Sequence, residues 1–148
     1  MQILRGVVHH VGIVRRYVDR RSALEPVAEI VRRLRKSHPE VPVIAFPRGA
    51  GALYAGYAQA TGVAGLGLDA SVPLAWAAKT LQTGATVQGN LDPLMLVTGG
   101  EAMRREMGRI LETLGNGPFI FNLGHGIIPA TPPEHVAELA EFMRSWRA

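Results

Sequence analysis

The chain has 148 residues and the composition of a globular protein, with 47% hydrophobic and 19% charged residues and no apolar run of the ~18 residues that a membrane helix needs. Cysteine is absent, which excludes disulfides, thiolate nucleophiles and cysteine-ligated metals. The net charge is +4, but residues 1–48 carry ten Arg and Lys against four acidic residues, whereas residues 49–148 carry six against eight. The basic segment lacks the aromatic interleaving and zinc spacing of nucleic-acid-binding modules, so we expect a solvated helix face and no nucleic-acid partner.

Short apolar runs alternate with helical patterns along the chain, which is typical of βαβ units and a parallel sheet. The runs predict four strands, at residues 41–46, 63–68, 85–89 and 118–122. The patterns around them predict an Arg-rich helix before the first strand and further helices near residues 52–60, 73–81, 93–114 and 133–147. Since a complete eight-stranded α/β barrel needs about 250 residues, we predict an α/β fold that forms half of such a barrel.

An open dinucleotide-binding sheet is the competing architecture. The glycine cluster after the first predicted strand, Arg48–Gly51, lacks the third glycine of the dinucleotide fingerprint, and no convincing acidic ribose ligand follows it. The barrel is therefore favoured.

Polar residues follow the predicted strands at the points where the strands end. In a barrel the carboxyl ends of the strands share one face, where ligands bind. We therefore expect one group of residues to converge there: Arg48, Asp69, Asn90, Asp92 and His125.

Several of these residues have a structural alternative. Asp69 and Asp92 precede helical patterns, so turn or capping roles are favoured over catalysis, and Asn90 has the alternative role of bonding backbone groups in its turn. Arg48 has no acidic neighbour in sequence, so ligand binding through a bidentate carboxylate contact and structural pairing stay equally open.

His125 lies between Gly124 and Gly126, where the lack of neighbouring side chains allows a close approach, so we favour a functional role for it. The remaining histidines have no spacing that indicates a metal site, and we expect them at the surface: His9, His10, His38 and His135.

Four segments carry a resemblance to a known family: His38–Phe46, Gly67–Asp69, Gln88–Pro93 and Asn122–Gly126. They stand in the order and at the spacing found in uroporphyrinogen decarboxylase. From about residue 24 to residue 147 the chain therefore resembles the C-terminal part of that family. The resemblance implies a single α/β barrel that works as a homodimer in porphyrin and heme synthesis. It further implies removal of the four acetate carboxyl groups of uroporphyrinogen, giving coproporphyrinogen, without metal or organic cofactor.

The resemblance also implies that important groups lie outside this sequence. The family's arginine-rich loop, catalytic aspartate, substrate-binding tyrosine and strand-end Ser or Thr all come before the matched region. Only the histidine after the last strand has a counterpart, His125, for which the resemblance implies substrate binding. We assign no catalytic residue and expect a truncated, inactive part that needs the missing N-terminal half.

The first 23 residues do not match the family, although Met1–Ile3 begins as the corresponding family strand does. A one-base shift in suitable codons for residues 4–9 would read Phe-Glu-Ala-Trp-Ser, as in the family. We hypothesise that residues 4 to about 23 are out of frame, and divide the chain into residues 1–23 and a decarboxylase-like part, 24–148. No secretory signal is recognisable at the start, so we predict a cytoplasmic location.

Two rival functions belong to other classes. A non-enzymatic half-barrel or interaction module would expose strand edges and self-associate. A cobalamin-dependent methyltransferase of the same superfamily would use zinc held by His and Cys, and the lack of cysteine argues against it.

Overall fold

The computed structural model of the chain describes the backbone of residues 10–12 and all atoms of residues 24–146. Five strands are present: β1 (His10–Gly12), β2 (Ile44–Phe46), β3 (Gly65–Gly67), β4 (Thr86–Leu91) and β5 (Phe119–Leu123). The α-helices are α1 (Glu25–Ser37), α2 (Tyr57–Thr61), α3 (Leu74–Trp76), α4 (Pro93–Thr98), α5 (Gly100–Leu114) and α6 (Pro133–Ser145). A 3-10 helix at Gly51–Tyr54 precedes α2, and a π-helix at Ala77–Leu81 continues α3.

All five strands are parallel and lie in sequence order, β1-β2-β3-β4-β5. Because crossovers between neighbouring parallel strands are right-handed, this order places the connecting helices on one face of the sheet, as in a barrel. The predicted α/β fold of a partial barrel is confirmed, with all four predicted strands. The fifth strand, β1, lies within residues 1–23; the rest of that segment, including the proposed frame boundary, lies outside the described residues.

The strand register separates two rows of side chains. One row belongs to the hydrophobic core that the helices complete: Ala45, Leu66, Val87 and Phe119. Because side chains alternate between the faces of a sheet, the next row faces the side opposite the helices: Gly67, Gln88 and Ile120. Gly67 and Gln88 of this second row line a cleft at the carboxyl edge of the sheet.

Helix α1 is the predicted Arg-rich helix before the first predicted strand. Val27 and Val31, four residues apart, are buried against the core, while Arg32 and Arg33 are exposed and pair with Glu29. The basic side chains therefore form the outer face of an amphipathic helix.

Three predicted helices differ from the expectation. The helix near residues 52–60 is interrupted because Gly56 adopts a left-handed conformation, with φ of 75°. Gly99, with φ of 67°, likewise divides the predicted 93–114 helix into α4 and α5. The helix at 73–81 is α-helical only in its first part, Leu74–Trp76. Gly56 and Gly99 thus interrupt two predicted helices at positions that the periodicity of apolar residues does not reveal.

Of the remaining histidines, His38 is exposed as predicted and His135 is only partly exposed, while the side chains of His9 and His10 lie outside the described residues. The Nδ1 of His135 lies 2.9 Å from the carbonyl oxygen of Leu96, and its ring is partly buried where α6 meets α4. A β-carbon at Gly99 would lie 2.5 Å from this ring, so the glycine leaves the space that His135 occupies. His135 therefore has a structural role.

Candidate functional site

The loops that follow β2, β3, β4 and β5 meet at the carboxyl edge of the sheet and enclose two adjoining clefts. The first cleft, of about 310 Å³, is lined by Phe46, Leu68, Leu123 and Ile127 together with the amides of Gln88 and Asn122; it is called the apolar cleft because no Asp, Glu, Lys or Arg lines it. The second, of about 440 Å³, is called the polar cleft because Arg48, Asp69, Ser71 and Asp92 line it, beside the apolar residues Ala70, Pro93 and Ile128. His125 and Gly126 line both clefts and so form the boundary between them.

His125 is exposed at this boundary. Its ring centroid lies 6.4 Å from that of Phe46, with the planes tilted by 57°. Among the described residues, no group forms a hydrogen bond with the imidazole, so both ring nitrogens are available to a ligand. Phe46 in turn packs against Gly67, where a β-carbon would approach the phenyl ring to 2.8 Å. Phe46 can therefore occupy its position beside His125 only because Gly67 has no side chain.

Arg48 lies in a tight turn directly after β2. The backbone N–H of Ala50 donates to the carbonyl of Pro47 at 3.0 Å, and Gly49 has a positive φ of 73°. These are the features of a type II turn with Arg48 at its second position. The Arg48 side chain is exposed in the polar cleft, and within residues 24–146 no carboxylate pairs with it. Its guanidinium is therefore free for a ligand.

Asp69 is only 8% exposed, and its carboxylate is surrounded by donors. Oδ2 accepts the Gly49 N–H at 2.9 Å and lies 3.3 Å from the Tyr54 hydroxyl, while Oδ1 accepts the Ser71 N–H at 3.0 Å and also the Ser71 hydroxyl. Burial by itself would raise the pKa of Asp69, but the bonds from Ser71, Gly49 and Tyr54 outweigh it and lower the pKa below its ordinary value. The carboxylate stays ionised and is fully occupied.

Tyr54 contributes a buried hydroxyl to the donors around the Asp69 carboxylate. Its side chain is fully buried, and its hydroxyl has two possible acceptors, the Asp69 carboxylate and the Gly67 carbonyl, the latter at 3.2 Å. Burial, followed by the nearby negative charge of Asp69, raises the pKa of Tyr54. The phenol therefore remains a neutral hydrogen-bond donor.

Asn90 and Asp92, at the end of β4, also use their side chains internally. The Asn90 amide is buried and donates to the carbonyls of Asp69 and Val72, at 3.1 and 3.0 Å. Asp92 accepts the Leu94 N–H at 2.9 Å and so caps α4. Asp92 still lines the polar cleft. Asn90 does not line it, and its amide holds the loop after β3 through the carbonyls of Asp69 and Val72.

The two glycines beside His125 differ in their surroundings. A β-carbon at Gly124 would lie 2.4 Å from the Ala70 nitrogen, so this glycine allows the loop after β5 to pack directly on the loop after β3. A β-carbon at Gly126 would meet nothing within 4 Å, and this glycine lines both clefts. Gly124 thus has a packing role that the sequence did not reveal.

The structure brings Arg48, Asp69, Asp92 and His125 to one cleft and leaves Asn90 behind it. Sequence reasoning missed Phe46, Tyr54 and Ser71, the aromatic and hydroxyl groups that support them. For Phe46 a signal was present, since it ends a predicted strand next to Arg48. No local signal marks Tyr54, whose role depends on contacts distant in sequence.

Within the described segments of the chain, no group of three or more His, Asp or Glu side chains is arranged to bind a metal ion. No helix in these segments has the length and hydropathy required to cross a membrane.

Comparison with known proteins gives a consistent result. The family model for uroporphyrinogen decarboxylase matches residues 11–146. The uroporphyrinogen decarboxylase of Rhodospirillum rubrum is 61% identical over 127 residues, which are 86% of this chain and 36% of that protein. That of Mesorhizobium japonicum is 59% identical over 120 residues, and that of Chelativorans sp. 56% over 124, covering 81% and 84% of this chain and 35% and 36% of the relatives. The chain thus spans about a third of the length of these relatives.

Proposed function

We propose, from the premise that this chain belongs to the uroporphyrinogen decarboxylase family, that it supplies the C-terminal part of a decarboxylase barrel and one wall of its substrate site. The observation that carries the proposal is the pair of clefts that meet at His125: one has aromatic and aliphatic side chains and no Asp, Glu, Lys or Arg, and the other has the charged side chains of Arg48, Asp69 and Asp92. Uroporphyrinogen, the substrate named for the relatives, combines apolar pyrrole rings with anionic carboxylate arms.

Within this proposal, the two clefts have separate tasks. The apolar cleft, with Phe46 and Ile127, suits a pyrrole ring. In the polar cleft, the unpaired guanidinium of Arg48 suits a carboxylate arm, since arginine binds carboxylates bidentately. His125 stands between the two and is placed to donate a hydrogen bond to an arm next to the bound ring.

The chemistry of decarboxylation indicates what this part of the barrel does not provide. Protonation of a pyrrole carbon makes the ring an electron sink, carbon dioxide leaves from the acetate arm, and a carboxylate stabilises the ring cation. In residues 24–146, two carboxylates line the polar cleft: Asp69 accepts hydrogen bonds from Gly49, Tyr54 and Ser71, and Asp92 caps α4 through Oδ1. We therefore propose that His125 and Arg48 bind and orient substrate, and that the cation-stabilising group is supplied from outside this sequence.

The partners follow from the open ends of the described sheet. β1 and β5 each pair with one described strand only, and an unpaired strand edge is a template for another chain. We propose that the complementary N-terminal half of a barrel or a second copy of this chain covers these edges. A cytoplasmic location and the lack of a cofactor stay predictions.

The purified chain alone is expected to be a dimer or larger when soluble, because pairing of edge strands covers them at the least cost. Sedimentation velocity at micromolar concentration measures this directly. A well-dispersed monomer with a cooperative melt would contradict it.

Binding of uroporphyrin, the oxidised and fluorescent form of the substrate ring system, tests the proposed site in the full 148-residue chain. We expect saturable binding, and we expect Arg48→Ala to weaken it about tenfold, since a charge-assisted hydrogen bond contributes ~1.5–3 kcal/mol. Arg105→Ala, on the exposed side of α5, is the matched control and should bind as the unchanged chain does. Equal binding by both variants would refute the assignment of Arg48.

A further inference from the structure

We propose that Asp69 is a positioning residue whose carboxylate fastens the turn carrying Arg48 to the loop after β3 and so directs the guanidinium at a carboxylate group of the ligand. This inference rests on the proposed function, because it concerns the same polar cleft. It assigns to Asp69 neither proton transfer nor direct ligand contact.

The first step of the argument is the peptide between Arg48 and Gly49. In a type II turn the central peptide is flipped relative to a type I turn, and the residue after it needs a positive φ. Gly49 has φ of 73°, and the N–H of this central peptide is the one that Asp69 accepts at 2.9 Å. With the peptide reversed, the Arg48 carbonyl oxygen would face the carboxylate instead, which like charges oppose. Asp69 therefore selects the orientation of the turn at Arg48.

The second step is the anchoring of Asp69 itself. Ser71 binds Oδ1 through both its N–H and its hydroxyl, Tyr54 lies against Oδ2, and Asn90 holds the carbonyl of Asp69. The bonds from Ser71 fix the carboxylate to the loop after β3, while the bonds from Gly49 and Tyr54 reach 20 and 15 residues back to the segment after β2. A rigid acceptor of this kind transmits its position to the turn that it binds.

The third step concerns charge. A buried aspartate 21 positions from an unpaired arginine at the same cleft would ordinarily be its salt-bridge partner. Here the donors from Gly49, Tyr54 and Ser71 already occupy the carboxylate, and no ion pair joins it to Arg48. These donors satisfy the oxygens of Asp69 without an ion pair, and the guanidinium of Arg48 stays available for an anionic ligand.

A double-mutant cycle on the full 148-residue chain tests this inference, with uroporphyrin as the fluorescent probe. Asp69→Asn keeps the shape of the side chain but replaces one acceptor oxygen by an NH₂ group, so either the Gly49 or the Ser71 N–H loses its acceptor. We expect Asp69→Asn to weaken binding several-fold, as loss of part of a charge-assisted contact does. In an Arg48→Ala background, the same change should have no further effect.

The other outcomes are equally informative. An equal loss in both backgrounds would show that Asp69 acts independently of Arg48, and an unchanged affinity in the presence of Arg48 would show that it does not act at all; either result overturns the inference while the proposed function stands. Absence of uroporphyrin binding by the unchanged chain would remove the proposed function and this inference together.

Loss of folding is separated by two further variants. Tyr54→Phe removes only the hydroxyl next to Oδ2 and should show the same dependence on Arg48 with a smaller loss, so it replaces Asp69→Asn if that variant does not fold. Thr61→Val removes another buried hydroxyl, which bonds the Tyr57 carbonyl at 2.8 Å away from both clefts. This control should lower the melting temperature and leave uroporphyrin binding per folded molecule unchanged.

Discussion

The purified 148-residue chain is expected to show no conversion of uroporphyrinogen to coproporphyrinogen. Positioned groups and a preorganised carboxylate supply most of the barrier reduction in such a reaction. Among residues 24–146, Asp69 has both carboxylate oxygens bonded to donors of its own chain, and Asp92 uses Oδ1 to cap α4. Product formation, measured by fluorescence after oxidation to the porphyrin, should equal that of a heat-killed sample.

A chimera supplies the positive control for this result. Residues 24–146 placed in the Rhodospirillum rubrum enzyme, a relative 61% identical over 127 residues, in exchange for the corresponding segment should restore turnover. Turnover by the 148-residue chain alone would refute the prediction. An inactive but folded chimera would instead indicate that this C-terminal part no longer fits the family's chemistry.

In that chimera, His125→Asn is expected to lower kcat/KM about tenfold or more, mainly through KM, or to disturb the order of the successive decarboxylations. The imidazole is exposed at the boundary of the two clefts and has no hydrogen bond to another described residue, so its removal disrupts no internal contact. Loss of one charge-assisted hydrogen bond corresponds to about a tenfold change or more. The melting temperature should stay nearly the same.

His135→Asn is the matched control, since the same substitution is then made at a partly buried histidine bonded to Leu96. We expect it to lower the melting temperature and to leave the kinetics per folded molecule unchanged. If His125→Asn instead reduces stability and preserves the kinetics, His125 is a structural residue and its assignment to substrate binding is wrong.

The sequence by itself determined the fold class and the family. Alternation of apolar runs with helical patterns is a local property, because each strand and helix must bury one face, and it located all four predicted strands. The order and spacing of four motifs identified the family, which the family model and the curated relatives confirm. The convergence of Arg48, Asp69 and His125 followed from the single rule that parallel strands end on the same edge.

The tertiary structure decided the details of the helices and of the site. Gly56 and Gly99 interrupt helices through their backbone conformations, which apolar periodicity does not record. The link from Asp69 to the Gly49 N–H spans 20 residues, and the close approach of Gly124 to Ala70 joins two separate loops. Such contacts exist only once the strands are in register, because they depend on distances between segments that the local sequence does not encode. The sequence therefore predicts which residue types meet at the site. Only the folded chain shows which of them form hydrogen bonds within the protein and which remain available to a ligand.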